Sequence, residues 1–379
     1  MRLRQKRLFG IIVRPDLEER LEILSEDSRF DLAGSCAKDP LGRGRKRGNF
    51  GRWVYPVVLP DGRRMNLFRI LLSNVCLNDC AYCPLRVDED SRRVSLSPRE
   101  LARAFIAYWR KGLVQGLFLS SGVVKDPDTT MKLLIKAAQY LRQKEKFYGY
   151  IHLKVIPGAS EAAVEEAARL ASALSLNLEA PDARSFVRLS QRKSYENIIS
   201  LTSYLSRLKS QKKFSHTTQL VVGAAGERDA EIIRTTEVLY KRFGLNRVYF
   251  AAYQPGFGRP HLPGEKIARK IDLRTREHRL YQVDFLLRKY GFRAAEIPLK
   301  DGFLSLEEDP KTLWARAHPE FFPLHLKKAS YHELLRVPGI GPVTAQRIIR
   351  ARKEGVLIDF SKIFPNQKLL ARALPYLVW

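Results

Sequence analysis

The chain has 379 residues, long for one domain and suited to two or three, with hydrophobic residues at 45%. Lys and Arg outnumber Asp and Glu by 67 to 40, giving a net charge of +27, a field that favours a polyanionic partner without separating DNA from RNA. No apolar run reaches the ~18 residues a membrane span needs, and the basic N-terminus MRLRQKRLFGIIV lacks the cleavage site of a signal peptide. Four cysteines, mostly in one motif, fit a reducing cytoplasm rather than a disulfide framework.

Residues 1–60 read as a basic N-terminal extension. Leu17–Leu24 has helical spacing of apolar residues. Cys36 fits a small buried hydrophobe. The run GRGRKRG, Gly42–Gly48, is a glycine-rich basic loop whose Arg43, Arg45 and Lys46 either grip phosphates or form a solvated surface.

From Met65 a strand–helix rhythm begins. Strands are expected at Asn66–Leu72, Gly116–Leu119, Ile151–Ile156, Leu176–Glu179, His216–Val222 and Arg247–Ala252. Helices are expected at Ser97–Arg110, Asp128–Lys144, Ser160–Leu174, Tyr195–Lys209 and Asp229–Phe243. Six strands alternating with five helices give right-handed βαβ units and a parallel sheet. The Pro/Gly-rich Gln254–Glu265 is a loop or linker. A helix at Thr275–Tyr290 follows, then a strand and turn within Phe292–Leu306, and a mixed segment at Trp314–Phe322.

The expected cysteine loop, VCLNDCAYCPLR (Val75–Arg86), follows the first strand and spaces Cys76, Cys80 and Cys83 as C-x3-C-x2-C. Three thiolates so close can cap three irons of one cubane and leave the fourth iron open. A structural zinc or iron–sulfur knot is the alternative, though zinc usually takes four protein ligands in two pairs.

This loop, with Tyr82 directly before the third cysteine, resembles the signature of the radical S-adenosylmethionine (SAM) superfamily. The resemblance implies a [4Fe-4S] cluster on Cys76, Cys80 and Cys83, SAM chelating the open iron, and Tyr82 near the adenine. It also turns the parallel sheet into a partial (β/α)6 TIM-type barrel over 61–255, with sites at the C-terminal strand ends and a barrel-completing or linker region over 256–328. The family's Gly-Gly-Glu-like element after the second strand reads Ser120-Ser121-Gly122 here, without the acid. Ser121 and Gly122 are the cofactor-binding expectations there. Asn177 and Glu179, two apart on one strand, are expected to face the lumen together. Gly223 and Glu227 resemble a shortened adenine-flanking element, whose bland reading is a strand-to-helix turn. Tyr253 is expected to border the adenine. His152, His216 and His261 read as structural.

Residues 329–379 form a small all-α unit. Within it, Val337–Ile349 carries Pro-Gly-Ile-Gly-Pro. Gly339 and Gly341 permit a tight turn, Ile340 plugs between helices, and Pro342 suits a first helical turn. The new helix's N-terminal amides make an anion site. This resembles the helix-hairpin-helix motif, which implies backbone-phosphate contact through Gly339, Ile340, Gly341, Thr344 and Arg347. Phe360–Trp379 resembles a degenerate second copy without Gly-x-Gly.

The combination resembles the DNA modification/repair radical SAM proteins, through SSGV (Ser120–Val123), TTQLVVGAAGERD (Thr217–Asp229), YQP (Tyr253–Pro255) and the hairpin. That implies a cytoplasmic enzyme that generates a 5′-deoxyadenosyl radical to modify or repair a base or sugar in DNA. It also implies a flavodoxin or ferredoxin electron donor and a uracil-DNA-glycosylase-like partner. The alternatives are an RNA-modifying radical SAM enzyme and a non-catalytic DNA-binding protein with a structural cluster.

Overall fold

The computed structural model describes residues 15–31, 53–58, 64–267, 270–354 and 363–378; Cys36, Arg43, Arg45 and Lys46 lie outside the described residues. After α1 (Leu17–Asp27), β1 (Val54–Val58) and β2 (Arg64–Leu71) pair antiparallel. Then come α2 (Pro98–Arg110), β3 (Gly116–Ser120) and α3 (Pro127–Gln139), which runs into a π-helical turn at Tyr140–Lys144. β4 (Tyr150–Lys154), α4 (Glu161–Leu170), β5 (Ala173–Ser175), α5 (Ala183–Leu189) and α6 (Tyr195–Gln211) follow. The series ends with β6 (Ser215–Val222), α7 (Asp229–Lys241) and β7 (Arg247–Ala252). The strands lie in sequence order in one seven-stranded sheet, parallel from β2 to β6. The result is an α/β half-barrel.

Local chemistry explains the elements. Ser97 and Glu100 form a reciprocal capping box on α2, with Pro98 in the first turn. α2 buries Leu101, Phe105 and Ile106, and Phe105 meets Phe68 of β2 with ring centroids 5.9 Å apart. Among the described residues three strands are unexpected: the short Leu324–His325 and Leu377–Val378 of the C-terminal region and, in the main sheet, β1. Its Pro56 reads against a central strand but is tolerated on a sheet edge, where a missing N–H costs little. Two boundaries also differ from expectation. The Ala-rich helix stops at Leu170, and Ala173 and Leu174, 1% and 0% exposed, form the core of β5. The fourth strand therefore precedes Leu176–Glu179, because burial on the sheet overrides helix propensity. Phe292–Leu306 supplies no named strand, only a 3-10 turn at Ala294–Glu296 and an isolated Lys300–Phe303 bridge.

The described residues divide into two compact units. One runs to Leu178 and adds Leu189–Thr218 and Phe257–Arg259; the other holds Glu179–Arg188, Gln219–Gly256 and the chain from Pro260 onward. In the second unit α8 (Lys270–Lys289) covers β7, whose polar groups would otherwise template another strand. The Tyr281 hydroxyl donates to the Phe250 carbonyl (2.9 Å) and accepts from its amide (3.0 Å). Glu277 accepts from the Ala252 amide (2.9 Å) and Tyr240 from the Val248 amide (2.9 Å).

The same unit continues through α9 (Pro310–Ala317), β8 (Leu324–His325), α10 (Tyr331–Leu334), α11 (Pro342–Lys353), α12 (Gln367–Ala373) and β9 (Leu377–Val378), with β8 and β9 parallel. Leu334, Leu335, Val337, Ile340, Ala345, Ile348 and Ala373 build its own apolar core.

Candidate cofactor and nucleic-acid sites

The cysteine loop leaves β2 and is held by side chains gripping its backbone. Asn74, fully buried, donates to Asp27 (2.7 Å) and the Arg92 carbonyl (2.8 Å) and accepts from the Val94 amide (2.7 Å). The Arg93 guanidinium donates to four carbonyls around the loop: Asn74 (2.6 Å), Leu85 (2.9 Å), Arg86 (2.7 Å) and Glu89 (2.9 Å). Asp79, between the first two cysteines, accepts from Ser190 Oγ and the Gln191 and Arg192 amides. Burial pushes the Asp79 carboxyl up, but these donors outweigh it and hold it below its usual range. The Ala81 amide and carbonyl are taken by Leu189 (2.7 Å) and Arg259 (2.8 Å). Neither Asn74 nor Arg93 was expected from the sequence, because a side chain that binds backbone carbonyls leaves no motif.

The end of β3 zips onto this loop. Gly122 donates to the Ser73 carbonyl (2.8 Å), and Leu77 donates to the Val123 carbonyl (2.9 Å). A Cβ at Gly122 would stand 2.3 Å from the Val75 carbonyl oxygen and 3.0 Å from Cys76 Cβ. This glycine is therefore required by close backbone approach. Ser121 Oγ donates to the Gly122 carbonyl (2.7 Å).

Cys80 is buried, and Cys76 and Cys83 are half-buried. Desolvation, then the neighbouring Cys80 and Cys76, push the Cys83 thiol up to about 12; the Leu85 amide and Lys193 oppose this. Thiols so placed stay protonated alone and need a bound cation to become thiolates. The Val123 amide points at Cys76 Sγ (3.5 Å) and the Leu85 amide at Cys83 Sγ (3.4 Å). Such amide–sulfur contacts tune an iron–sulfur centre. Among the described residues no three His, Cys, Asp or Glu side chains group as ligands of one ion. A cubane differs from a single ion because each thiolate takes its own iron. The donor set thus fits a [4Fe-4S] cluster.

In this unit, the sheet face turned away from α2 is polar. Arg69, Phe118 and His152 share one register row, and Lys154, Ser175 and Thr217 another. The Arg69 guanidinium lies 5.0 Å from the Tyr55 ring centre and 4.8 Å from that of Phe118. Burial, with Arg69 beside it, pushes His152 down to about 3, so the imidazole is neutral. His152 Nε2 and Thr217 Oγ1 are buried without a hydrogen-bond partner among the described residues. Asn177 is buried (5%) and Tyr82 half-buried in this unit.

The second unit holds the remaining cofactor expectations. Glu179 is buried with φ +66°, so the expected strand alternation from Asn177 breaks there. Its amide donates to Gln219 (2.9 Å) and its carbonyl accepts from Val221 (2.8 Å). Glu227 closes its own loop, accepting from the amides of Gly223 and Ala225. Burial pushes its carboxyl up against those donors and Arg276. Gly223, at φ +86°, has Leu273 packed where a Cβ would stand. The Tyr253 hydroxyl donates to Glu265, which also accepts from the Gly256 amide. The side chains of Glu227 and Tyr253 are thus engaged in holding their loops.

The hairpin at Val337–Pro342 rests on the apolar core described above. The Ile340 amide donates to the Val337 carbonyl (3.1 Å), and the Ile340 side chain is 1% exposed, as a plug between helices requires. Gly339 has φ +84°, and a Cβ there would stand 2.2 Å from the Leu369 carbonyl oxygen. Gly341 is the N-cap of α11. The Val343 and Thr344 amides precede the first hydrogen bond of α11, from the Ala345 amide to the Gly341 carbonyl (2.9 Å). The Thr344 side chain is buried, so only its amide can meet a ligand. Arg347 donates to the Ile363 carbonyl (3.1 Å), and Arg352 to Leu326 and Ala329; Arg350 is exposed.

Residues 70–239 match the radical SAM superfamily, and residues 324–351 match the helix-hairpin-helix motif. A curated relative, the threonylcarbamoyladenosine tRNA methylthiotransferase MtaB of Thermotoga maritima, is 21% identical over 235 residues, covering 61% of this chain and 52% of that protein. The chain therefore spans about half the length of this relative. Similar solved structures include the FeFe-hydrogenase maturase HydG from Carboxydothermus hydrogenoformans, 14% identical with 81% of each chain covered and a TM-score of 0.46. Methylornithine synthase (PylB) is 16% identical, covering 59% of this chain and 63% of its own, with a TM-score of 0.46. No helix among the described residues is long and apolar enough to cross a membrane.

Proposed function

The chain carries a radical SAM domain and a helix-hairpin-helix motif, and from that premise we propose that it is a SAM-cleaving enzyme that modifies or repairs a base or sugar in DNA. The observation that carries the cofactor half is the triplet of cysteines on one loop, with amides aimed at two of the sulfurs. Cys76, Cys80 and Cys83 would hold the cluster, and no fourth cysteine lies among the described residues. When bound, the cluster and SAM would supply one-electron radical chemistry at the mouth of this loop.

The chain's own residues prepare that chemistry. Arg93, Asn74 and Asp79 fix the loop, Gly122 lets β3 approach it, and the amides of Val123 and Leu85 favour the thiolate forms. The hairpin supports the substrate half. Its amides and the net charge of +27 suit a phosphodiester backbone. A base within a duplex must be unstacked before its atoms can be reached, so a flipped or damaged nucleotide is the expected target.

RNA is the second reading, and the tRNA-modifying relative is what favours it. Anaerobically reconstituted, reduced protein should convert SAM to 5′-deoxyadenosine, and duplex DNA should compete better than tRNA for binding. Preferential binding of tRNA would reverse the choice of substrate, while no turnover of SAM would remove the enzymatic reading.

A further inference from the structure

Beneath the hairpin lies a buried cation that the sequence motif does not include. α9 starts at Asp309, whose carboxylate accepts from Thr312 (amide 3.0 Å, hydroxyl 2.8 Å) and from Arg372 (3.0 Å). Two residues on, Lys311 is only 8% exposed. Its Nζ donates to the Ile340 carbonyl at 2.5 Å, inside the Pro-Gly-Ile-Gly-Pro turn, and lies 4.7 Å from the centre of the Tyr290 ring. A Cβ on Gly341 would be 3.3 Å from the Tyr290 hydroxyl, so ring and turn are neighbours.

A buried ammonium is expensive, and a hydrophobic side chain of the same length would usually be as stable or more so. Packing alone does not account for a lysine here. The peptide plane does. In a trans peptide the carbonyl and the following N–H point in opposite directions. Holding the Ile340 carbonyl inward on Lys311 therefore turns the Gly341 N–H outward, beside the Val343 and Thr344 amides at the start of α11.

We propose that Lys311 is a positioning residue for the phosphate clamp: its ammonium fixes the Ile340–Gly341 peptide so that its N–H faces a bound phosphodiester, and it adds positive charge behind that site. The inference rests on the nucleic-acid reading of the hairpin. Burial lowers Lys311 to about 7, with Asp309 opposing. The surrounding groups are Asp309 with its partner Arg372, Arg279 near Asp309, and Tyr290 near Tyr331. Tyr290 is pushed above its usual range and stays neutral. The ammonium is present below about pH 7 and lost above it, so affinity for a polyanion should fall as pH rises through 7.

The test is fluorescence anisotropy of the full chain with a labelled DNA duplex, titrated at several salt concentrations and pH values, for the wild type, Lys311→Met and Lys311→Arg. Lys311→Met should bind about tenfold more weakly with an unchanged slope against salt, because a buried ammonium releases no counterion from DNA. Lys311→Arg should stay within about threefold of the wild type and lose the fall with pH, because arginine does not deprotonate. Unchanged affinity in Lys311→Met, or a slope smaller by about one, would overturn the proposal. If Lys311→Met fails to fold, the wild-type pH profile decides: affinity flat across pH 7 overturns it. A wild-type chain that binds no DNA at any salt would overturn the reading of the hairpin, and this inference with it.

Discussion

The cysteine loop and the glycine hairpin are both short, irregular segments on which the expected function depends, yet they are held in different proportions of polar and apolar contact. The first is pinned by several polar side chains: Asn74, Asp79 and Arg93 take up its backbone groups. The second sits on an apolar core, with Ile340 and Val337 buried, and takes a single polar grip from Lys311. The difference follows from what each must hold. A loop that offers three sulfurs to a metal centre cannot fill its own interior with hydrocarbon, so hydrogen bonds must fix its shape. A turn that offers only backbone amides can bury every side chain it has. Neither region is fully satisfied: Arg86 Nε and Ser91 Oγ beside the cysteines, and Glu277 Oε1 in the second unit, are buried without a hydrogen-bond partner among the described residues.

The sharpest way to break the comparison is Cys80→Ala. It should abolish cluster absorbance and 5′-deoxyadenosine formation while leaving DNA affinity within about twofold, since the hairpin's apolar support is untouched. Next comes a pair of glycine substitutions. Gly339→Ala meets both a left-handed φ and the Leu369 carbonyl, and should destabilise the hairpin unit by about 3–4 kcal/mol. It should lose DNA binding and keep iron. Gly122→Ala meets the Val75 carbonyl and should do the reverse, with iron content per chain as the measurement.

Arg93→Ala removes four hydrogen bonds to partly buried carbonyls and should lower stability by about 2–3 kcal/mol, read by chemical denaturation, with weaker iron retention. Lysine at this position should recover only part of the loss, because it cannot span four carbonyls.

The smallest expected effect lies at Glu277. Burial raises its carboxyl from the usual 4.5 to about 7, against the Ala252 amide and Arg274. A carboxyl raised on folding contributes stability that is full below about pH 4.5 and is lost as pH rises through 7. Glu277→Gln should therefore flatten that slope and melt about 2–3 °C higher than the wild type at about pH 8. An unchanged pH dependence of melting would show that Glu277 is not its source.

These tests also separate what the sequence made legible from what it did not. Strands β2, β3, β4, β6 and β7 and helices α2, α3, α4, α6 and α7 follow from periodicity, because each is long or strongly apolar, whereas the short α5 is not expected from it. β5 was misplaced by three residues because Ala173 and Leu174 suit a helix equally well until the sheet buries them. The cysteines and Gly-Ile-Gly are local patterns and stood out. Asn74, Arg93 and Lys311 act by gripping backbone distant in sequence, and no spacing announces that. Glu179 fits a regular strand by its sequence, but its left-handed backbone is a tertiary outcome.

The most direct test of the account follows a hydrogen atom. Reduced, reconstituted protein is mixed with SAM and either duplex DNA or RNA from cells grown in heavy water, and the 5′-deoxyadenosine formed is weighed by mass spectrometry. Deuterium is expected in that product when the labelled polymer is DNA, and none with Cys80→Ala. Deuterium arriving from RNA alone, or 5′-deoxyadenosine that never gains it from either polymer, would contradict it.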